Sequence, residues 1–444
     1  MNSVRRRLLV FTYYFPPAGG PGVQRVLKFV KYLPEFGWDP VVITVENGDF
    51  PAFDHSLVDE IPETVPVHRV PALEPYSLYR KFTGKSRDAH IPVGTLAKND
   101  SSQGLSERLA RWVRANLFVP DARVAWTLPV VKLAKKLVKE YKVSAILSSS
   151  PPHSVQLAAR RTAQQFHIPW IADLRDPWTD IYYYQDLDRS CLTQHIDARF
   201  ERKVLQSADG VINVSQSLVR TFRTKAPEHH FTLLPDGFES CDFERETRHS
   251  FATFSLAYIG NLKPNQNPET LWKVLADHTK SDHNFAGDFE LHLTGKIHPQ
   301  VTQSLEQFGL IERVRIEGYV PHGEATRRMQ ESAVLLFIVP EAANNKGILT
   351  GKLFEYLAAG RPLFSIGPPN GDAAEILTEC NAGTMVDYED KNGLTMLITH
   401  LYSQWKAKEM NSLKPDASKV QQFERREQSR ILSSLLNSVT EHIQ

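Results

Sequence analysis

Leu8-Leu9-Val10-Phe11-Thr12, the turn Ala18-Gly19-Gly20-Pro21-Gly22 and the run Pro40-Val41-Val42-Ile43-Thr44-Val45 decide the fold class of this 444-residue chain. Between the two apolar runs, Val23, Val26, Leu27, Val30 and Leu33 recur at helical spacing until Gly37. Strand, glycine turn, helix, strand is a βαβ unit, which closes right-handed onto a parallel sheet. The alternation resumes with a helix near Leu128–Glu140, a strand Ala145–Ser149, a helix Val155–Phe166 and a strand Trp170–Asp173. A helix Ile196–Leu205 and a strand at Gly210–Ser215 follow, and Phe231–Gly237 closes the amino-terminal domain. Residues 50 to about 125 lack clean periodicity beyond a basic-apolar stretch from Leu105 to Leu117 and read as loops and small helices.

A second alternation opens at Ser255–Gly260, with strands expected at Phe289–Leu293, Val314–Glu317, Ala333–Val339, Leu363–Ile366 and Gly383–Val386. The polar stretch Ser240–Thr253 separates the two. The expected division is 1–245, 246–417, and a last helix, 418–444, that crosses back to the first domain. Two Rossmann-like domains in tandem place a cleft between the carboxyl ends of their strands.

Composition agrees with a globular α/β protein: 41% hydrophobic and 23% charged residues. No apolar run approaches the ~20 residues that span a bilayer. The first apolar segment is too short for a signal peptide, and Cys191, Cys241 and Cys380 form no framework or metal spacing. Cytoplasm is the default location. Net charge is +1, yet residues 1–170 hold 23 Lys and Arg against 14 Asp and Glu, and the remainder 29 against 37. The basic half suits an anionic partner, a lipid phosphate or a membrane surface. Lys132, Lys135, Lys136 and Lys139 share one helix face there, which also reads simply as a solvated face. Nothing points to nucleic acid.

The stretch most informative for chemistry is Gly351-Lys352-Leu353-Phe354-Glu355-Tyr356-Leu357-Ala358-Ala359-Gly360-Arg361-Pro362. A helix start with unpaired amides favours anions, and Lys352 adds a full charge. Glu355 lies one turn on, where a carboxylate accepts hydrogen bonds from vicinal hydroxyls such as those of a ribose. The layout suits a nucleoside diphosphate; taken alone, it is equally an ordinary capped helix.

Other loops stand at strand ends. Gly19-Gly20-Pro21-Gly22 lacks the G-x-G-x-x-G spacing of a dinucleotide fingerprint. Ser148-Ser149-Ser150-Pro151-Pro152-His153 opens a helix, with His153 placed to hydrogen-bond a sugar hydroxyl or a developing charge. Asp173-Leu174-Arg175-Asp176-Pro177-Trp178 puts Asp173, Arg175 and Asp176 at a strand end and offers Trp178 as a stacking face for a sugar; the same residues also read as a loop brace. Asp186-Leu187-Asp188 has the D-x-D spacing of metal-held nucleotides but follows no apolar strand, and reads as coincidence.

From about residue 8 to residue 400 these motifs, in this order, resemble family 4 glycosyltransferases, which have the two-domain GT-B fold. The resemblance implies an α/β chain of two Rossmann-like domains with parallel sheets facing a central cleft. It places Gly260, Asn261, Gly295, Val320, Gly351, Lys352 and Glu355 around the donor, and Gly20, Arg175, Asp176 and Trp178 around the acceptor. His153, Lys263, Lys352 and Glu355 form the implied catalytic set, Lys263 meeting the donor pyrophosphate. The implied reaction is retaining transfer of a sugar from a nucleotide-sugar donor to a glycan or lipid-linked acceptor, in surface polysaccharide biosynthesis, with no cofactor and no metal ion. One departure stands out: the family usually carries a glutamate eight positions before Glu355, where this chain has Gly347. Two other classes remain open at this stage, a nucleotide-sugar epimerase and a non-catalytic glycan-binding or partner subunit.

Overall fold

The computed structural model describes residues 5–72 except 49 and 51, 112–243 except 114, 182, 183, 185 and 186, and 252–441. The chain divides into two compact units, Met1–Pro235 with Arg425–Gln444, and Asp236–Glu424.

In the first unit seven parallel strands are β1 Arg6–Thr12, β2 Trp38–Val45, β3 Val67–Val70, β4 Ala145–Ser150, β5 Trp170–Leu174, β6 Gly210–Asn213 and β7 Phe231–Leu233. They are ordered β3-β2-β1-β4-β5-β6-β7. Val10 pairs with Val42 on one side and Leu147 on the other, so β1 is central. Leu8, Leu9, Val10 and Phe11 are fully buried, as expected for a strand covered on both faces. The helix Pro21–Tyr32 supplies the first crossover, and Val23, Val26, Leu27 and Val30 join the core. The helix Thr127–Tyr141 buries Val130, Val131, Ala134, Leu137 and Val138, leaving Lys132, Lys136 and Lys139 exposed and Lys135 partly so.

In the second unit the strands are β8 Phe254–Ile259, β9 Phe289–Thr294, β10 Val314–Glu317, β11 Val334–Ile338, β12 Leu363–Ile366 and β13 Met385–Val386. All run parallel, in the order β10-β9-β8-β11-β12-β13. Along β8, Phe254, Leu256 and Tyr258 enter one core cluster and Ala257 and Ile259 the other, the two-residue period of a strand buried on both faces.

Three elements differ from the sequence expectation. β3 lies in the stretch read as loop; at four residues it is a short edge strand, without enough alternation to register. The helix Gln216–Lys225, capped by Ser215, was passed over although Leu218, Val219 and Phe222 carry its spacing. The last helix is not continuous from Ser418: Ala417–Val420 and Gln421–Phe423 are short turns, Glu424 is extended, and Arg425–Glu441 is the helix that belongs to the first unit. The expected boundary at 245/246 lies outside the described residues, as do most of Leu105–Leu117 and Asp186 of the D-x-D spacing.

Candidate functional site

Each sheet reverses its strand order once, and an open parallel sheet binds ligands outside the carboxyl ends of its strands at that point. In the second unit the reversal lies between β8 and β11. The loops after these two strands are tied together: Glu341 N donates to Asn265 O at 2.7 Å, Asn265 Nδ2 to Glu341 O at 3.3 Å, and Gln266 Nε2 to Ile338 O at 3.1 Å. Asn345 Nδ2 bonds Tyr388 Oη at 3.0 Å, fixing the 3₁₀ turn Asn345–Gly347. From this loop the chain enters the helix Gly351–Ala358 through extended Thr350, and no described side chain caps that helix.

Lys352, in the first turn, crosses Gly260. A Cβ built on Gly260 would lie 2.1 Å from Lys352 Cε, and Gly260 has φ +133°, a conformation open to glycine. Lys352 Nζ donates to Tyr258 Oη at 2.8 Å and lies 4.7 Å from that ring's centroid. Burial pulls the ammonium down to about 8, with Glu355 opposing and Lys263 adding to the fall. One turn on, Tyr356 accepts from Ile259 N at 2.9 Å, so the helix is bolted to the end of β8. Glu355 is partly exposed between these two anchors.

Gly295, at the end of β9, has φ +119°, and a Cβ there would lie 2.4 Å from Gly260 O. The loops after β8 and β9 therefore touch backbone to backbone. Asn261 and Lys263 are exposed; Gly351 and Val320 are partly exposed, Val320 beyond the end of β10. The fold thus brings together Gly260, Asn261, Gly295, Gly351, Lys352 and Glu355, with Lys263 near enough for its charge to act on Lys352. Sequence reasoning missed Tyr258, Asn265 and Gln266. Their polar groups inside or beside an apolar strand were the available signal.

In the first unit the reversal lies between β1 and β4. Gly20, exposed with φ +109°, ends the loop after β1. Arg175 lies against the helix that follows: a Cβ on Gly22 would meet Arg175 Nη1 at 1.9 Å, and Arg175 Nε donates to Ser150 O at 3.2 Å. Asp176 is partly exposed in the same loop.

Two expectations are corrected here. Trp178 is fully buried; its Nε1 donates to Asp197 Oδ1 at 2.7 Å and its face stacks on His153 at 4.5 Å, so it offers no platform for a sugar. His153 is 4% exposed, and burial, with the Arg175 charge, lowers its pKa to about 3. The ring is neutral and cannot supply a cation to a developing charge. Its Nδ1 makes no hydrogen bond among the described residues. Asp173 is fully buried, receiving Arg25 Nε and Nη2 at 3.2 and 3.1 Å and Ser149 Oγ at 2.7 Å, which makes it a brace.

The two reversals differ in one respect. The helix Ser154–Phe166 after β4 is capped from outside by Asp121, which accepts from Ser154 N at 2.8 Å and Ser154 Oγ at 2.9 Å. The first unit thus fills its helix N-terminus with its own carboxylate. In the second, no described side chain caps the corresponding terminus, where Lys352 lies and the charge of Lys263 acts.

Comparison with known proteins adds family and fold. The Glycosyl transferase 4-like domain matches residues 19–237 and the Glycosyl transferases group 1 domain matches residues 253–404. No curated protein matches the chain. Among solved structures, sucrose-phosphate synthase from Thermosynechococcus elongatus is similar over 99% of this chain and 100% of its own, with 16% identity and a TM-score of 0.65. A glycosyltransferase from Rickettsia africae covers 98% of both chains at 12% identity and a TM-score of 0.62. TarM of S. aureus, solved with UDP and an α-GlcNAc-glycerol, covers 98% of this chain and 99% of its own at 9% identity, with a TM-score of 0.60.

Proposed function

The chain belongs to the GT-B glycosyltransferases of group 1, and from that premise we propose that its second unit holds the diphosphate of a nucleotide-sugar donor at the helix Gly351–Ala358. The observation that carries this is the uncapped helix terminus at the strand reversal, flanked by Lys352 and Lys263. Helix amides and a lysine together stabilise a leaving diphosphate far better in a partly dry site than in water. Glu355 receives the ribose hydroxyls, which is positioning and not proton transfer. The backbone of Asn344–Thr350, with Gly347 where a glutamate is usual, addresses the donor sugar.

The acceptor is a hydroxyl of a glycan or lipid-linked glycan, received by the first unit around Gly20, Arg175 and Asp176. The bond from the sugar's anomeric carbon to the phosphate oxygen breaks and a bond to the acceptor oxygen forms on the same face, with retention. The acceptor's proton passes to the departing phosphate. Lys352, Lys263 and the helix end supply the positive charge, so the reading includes no metal ion. Surface polysaccharide assembly is the proposed setting. The exposed lysines of the helix Thr127–Tyr141 support contact with an anionic membrane, and no described helix is long and apolar enough to cross one.

Thermal shift tests the donor site. UDP, GDP and ADP at millimolar concentration, with and without EDTA, are compared on wild type and Glu355→Ala. One nucleotide should raise the Tm of wild type, with or without EDTA, and hardly move the variant. Silence from all three on wild type would sink the proposal.

A further inference from the structure

We infer that Tyr258 is a positioning residue for the donor site, its hydroxyl and ring holding the Lys352 ammonium across Gly260 where a nucleoside diphosphate would meet it. The inference rests on the reading of the second unit as the donor unit.

Tyr258 is 1% exposed, in a six-residue strand whose every residue is buried. Packing alone at this position asks only for an apolar ring. A phenol hydroxyl buried without partners would be costly, and here it has several, the Gln266 side chain among them. It donates to Asn261 O at 2.9 Å and accepts from Lys352 Nζ at 2.8 Å. With the phenol proton committed to a carbonyl, the oxygen can only accept from the lysine, so the polarity of the pair is fixed. The ring adds attraction for a cation held within ~6 Å of its centroid, and the observed distance is 4.7 Å. The stem reaches this place because Gly260 has no Cβ to meet it.

A free lysine side chain loses rotamer entropy when it is fixed on a ligand. Holding it beforehand lowers what phosphate binding must supply. The charged and titratable groups facing Lys352 are Glu355 on its own helix, Lys263 on the loop after β8, and Tyr258 itself. Tyr258 accepts a hydrogen bond from the ammonium, so its loss destabilises the charged form.

Tyr258→Phe keeps the ring and removes the acceptor; Tyr258→Leu removes both. The Lys352 titration is followed in the ligand-free protein by the ¹³C shift of its Cε, assigned with Lys352→Met. UDP and GDP affinities are measured by calorimetry from pH 6 to 9.5. For wild type the midpoint should lie near 8, with affinity flat below it and falling above. Tyr258→Phe should lower the midpoint by about one unit and weaken binding roughly three- to tenfold at pH 7.5, the break moving with the midpoint. Tyr258→Leu should do more of both.

An unchanged midpoint and pH profile in Tyr258→Phe, with wild type binding normally, would reduce Tyr258 to core packing. Tighter binding by the variant would mean that Tyr258 withholds the lysine, and would equally overturn the inference. If wild type binds neither nucleotide at any pH, the donor reading itself has failed and takes this inference with it. That result is recognisable because it precedes any difference between variants.

Discussion

Gly260 and Lys352 are sterically matched, and substitution of the glycine tests the match directly. In Gly260→Ala the new methyl would fall 2.1 Å from Lys352 Cε, on a backbone at φ +133°. The lysine must leave its seat or the loop must shift, so nucleotide affinity should fall about tenfold in calorimetry, for a loss of ~1.4 kcal/mol. His153 tests burial in the first unit. Its pKa is held at about 3, against 6.5 unfolded, by burial and then by Arg175. Between those values the unfolded chain binds the extra proton. The stabilisation is therefore complete above about pH 6.5 and is lost as pH falls toward 3. His153→Phe, which keeps a ring against Trp178, should lose less stability than wild type between pH 7 and 4.5, by about 2 kcal/mol in denaturant titrations. Equal acid sensitivity would mean that the ring is not desolvated. Residues whose places follow from backbone rules were legible in the sequence: Gly260 sits in a turn at positive φ and Gly351 at a helix start. Trp178 was not, because its burial depends on Asp197, contributed by the helix Cys191–Ser207.

Helix termini carry a structural contrast between the units. Asp121 satisfies the first amide and hydroxyl of Ser154–Phe166 from a loop far away in sequence. Burial raises its pKa against the hydrogen bonds from Ser154 and the nearby Arg123. Asp121→Ala leaves Ser154, itself fully buried, without this acceptor, and should cost about 2 kcal/mol in denaturant unfolding. A loss within experimental error would show the cap to be dispensable. The strands around both reversals were readable because they are continuous apolar runs between turn residues. The edge strand β3 was not, since among the described residues Val67–Val70 pairs only with β2, and it carries Arg69 exposed in its middle. The break at Glu424 was equally hidden: helix-forming residues lie on both sides, and the extended conformation there accompanies a backbone bridge to Phe238. Such pairing is long-range and leaves no local signal.

Across the whole molecule, charge is the property with a functional consequence of its own. The first 170 residues hold the positive excess, and Lys132, Lys136 and Lys139 present it on an exposed helix face. Each basic residue near an anionic bilayer contributes about 1 kcal/mol, screened by salt. Flotation with phosphatidylserine vesicles should recover wild type at low salt and release it at high salt. Reversal of the three lysines to glutamate should abolish recovery while leaving nucleotide binding intact. Recovery unchanged by the reversal would assign the face to solvent alone.

The chain leaves the first unit at Pro235 and re-enters it at Arg425. Phe238 N bonds Phe423 O at 3.1 Å, so the two passages run side by side. The second unit is in effect an insertion with adjoining ends. Leu432 and Leu436 of the returning helix lie fully buried in the first unit's core. Exchanging units between relatives therefore takes two splices: a hybrid cut once near residue 235 takes the body of its first unit from one parent and that unit's closing helix from the other.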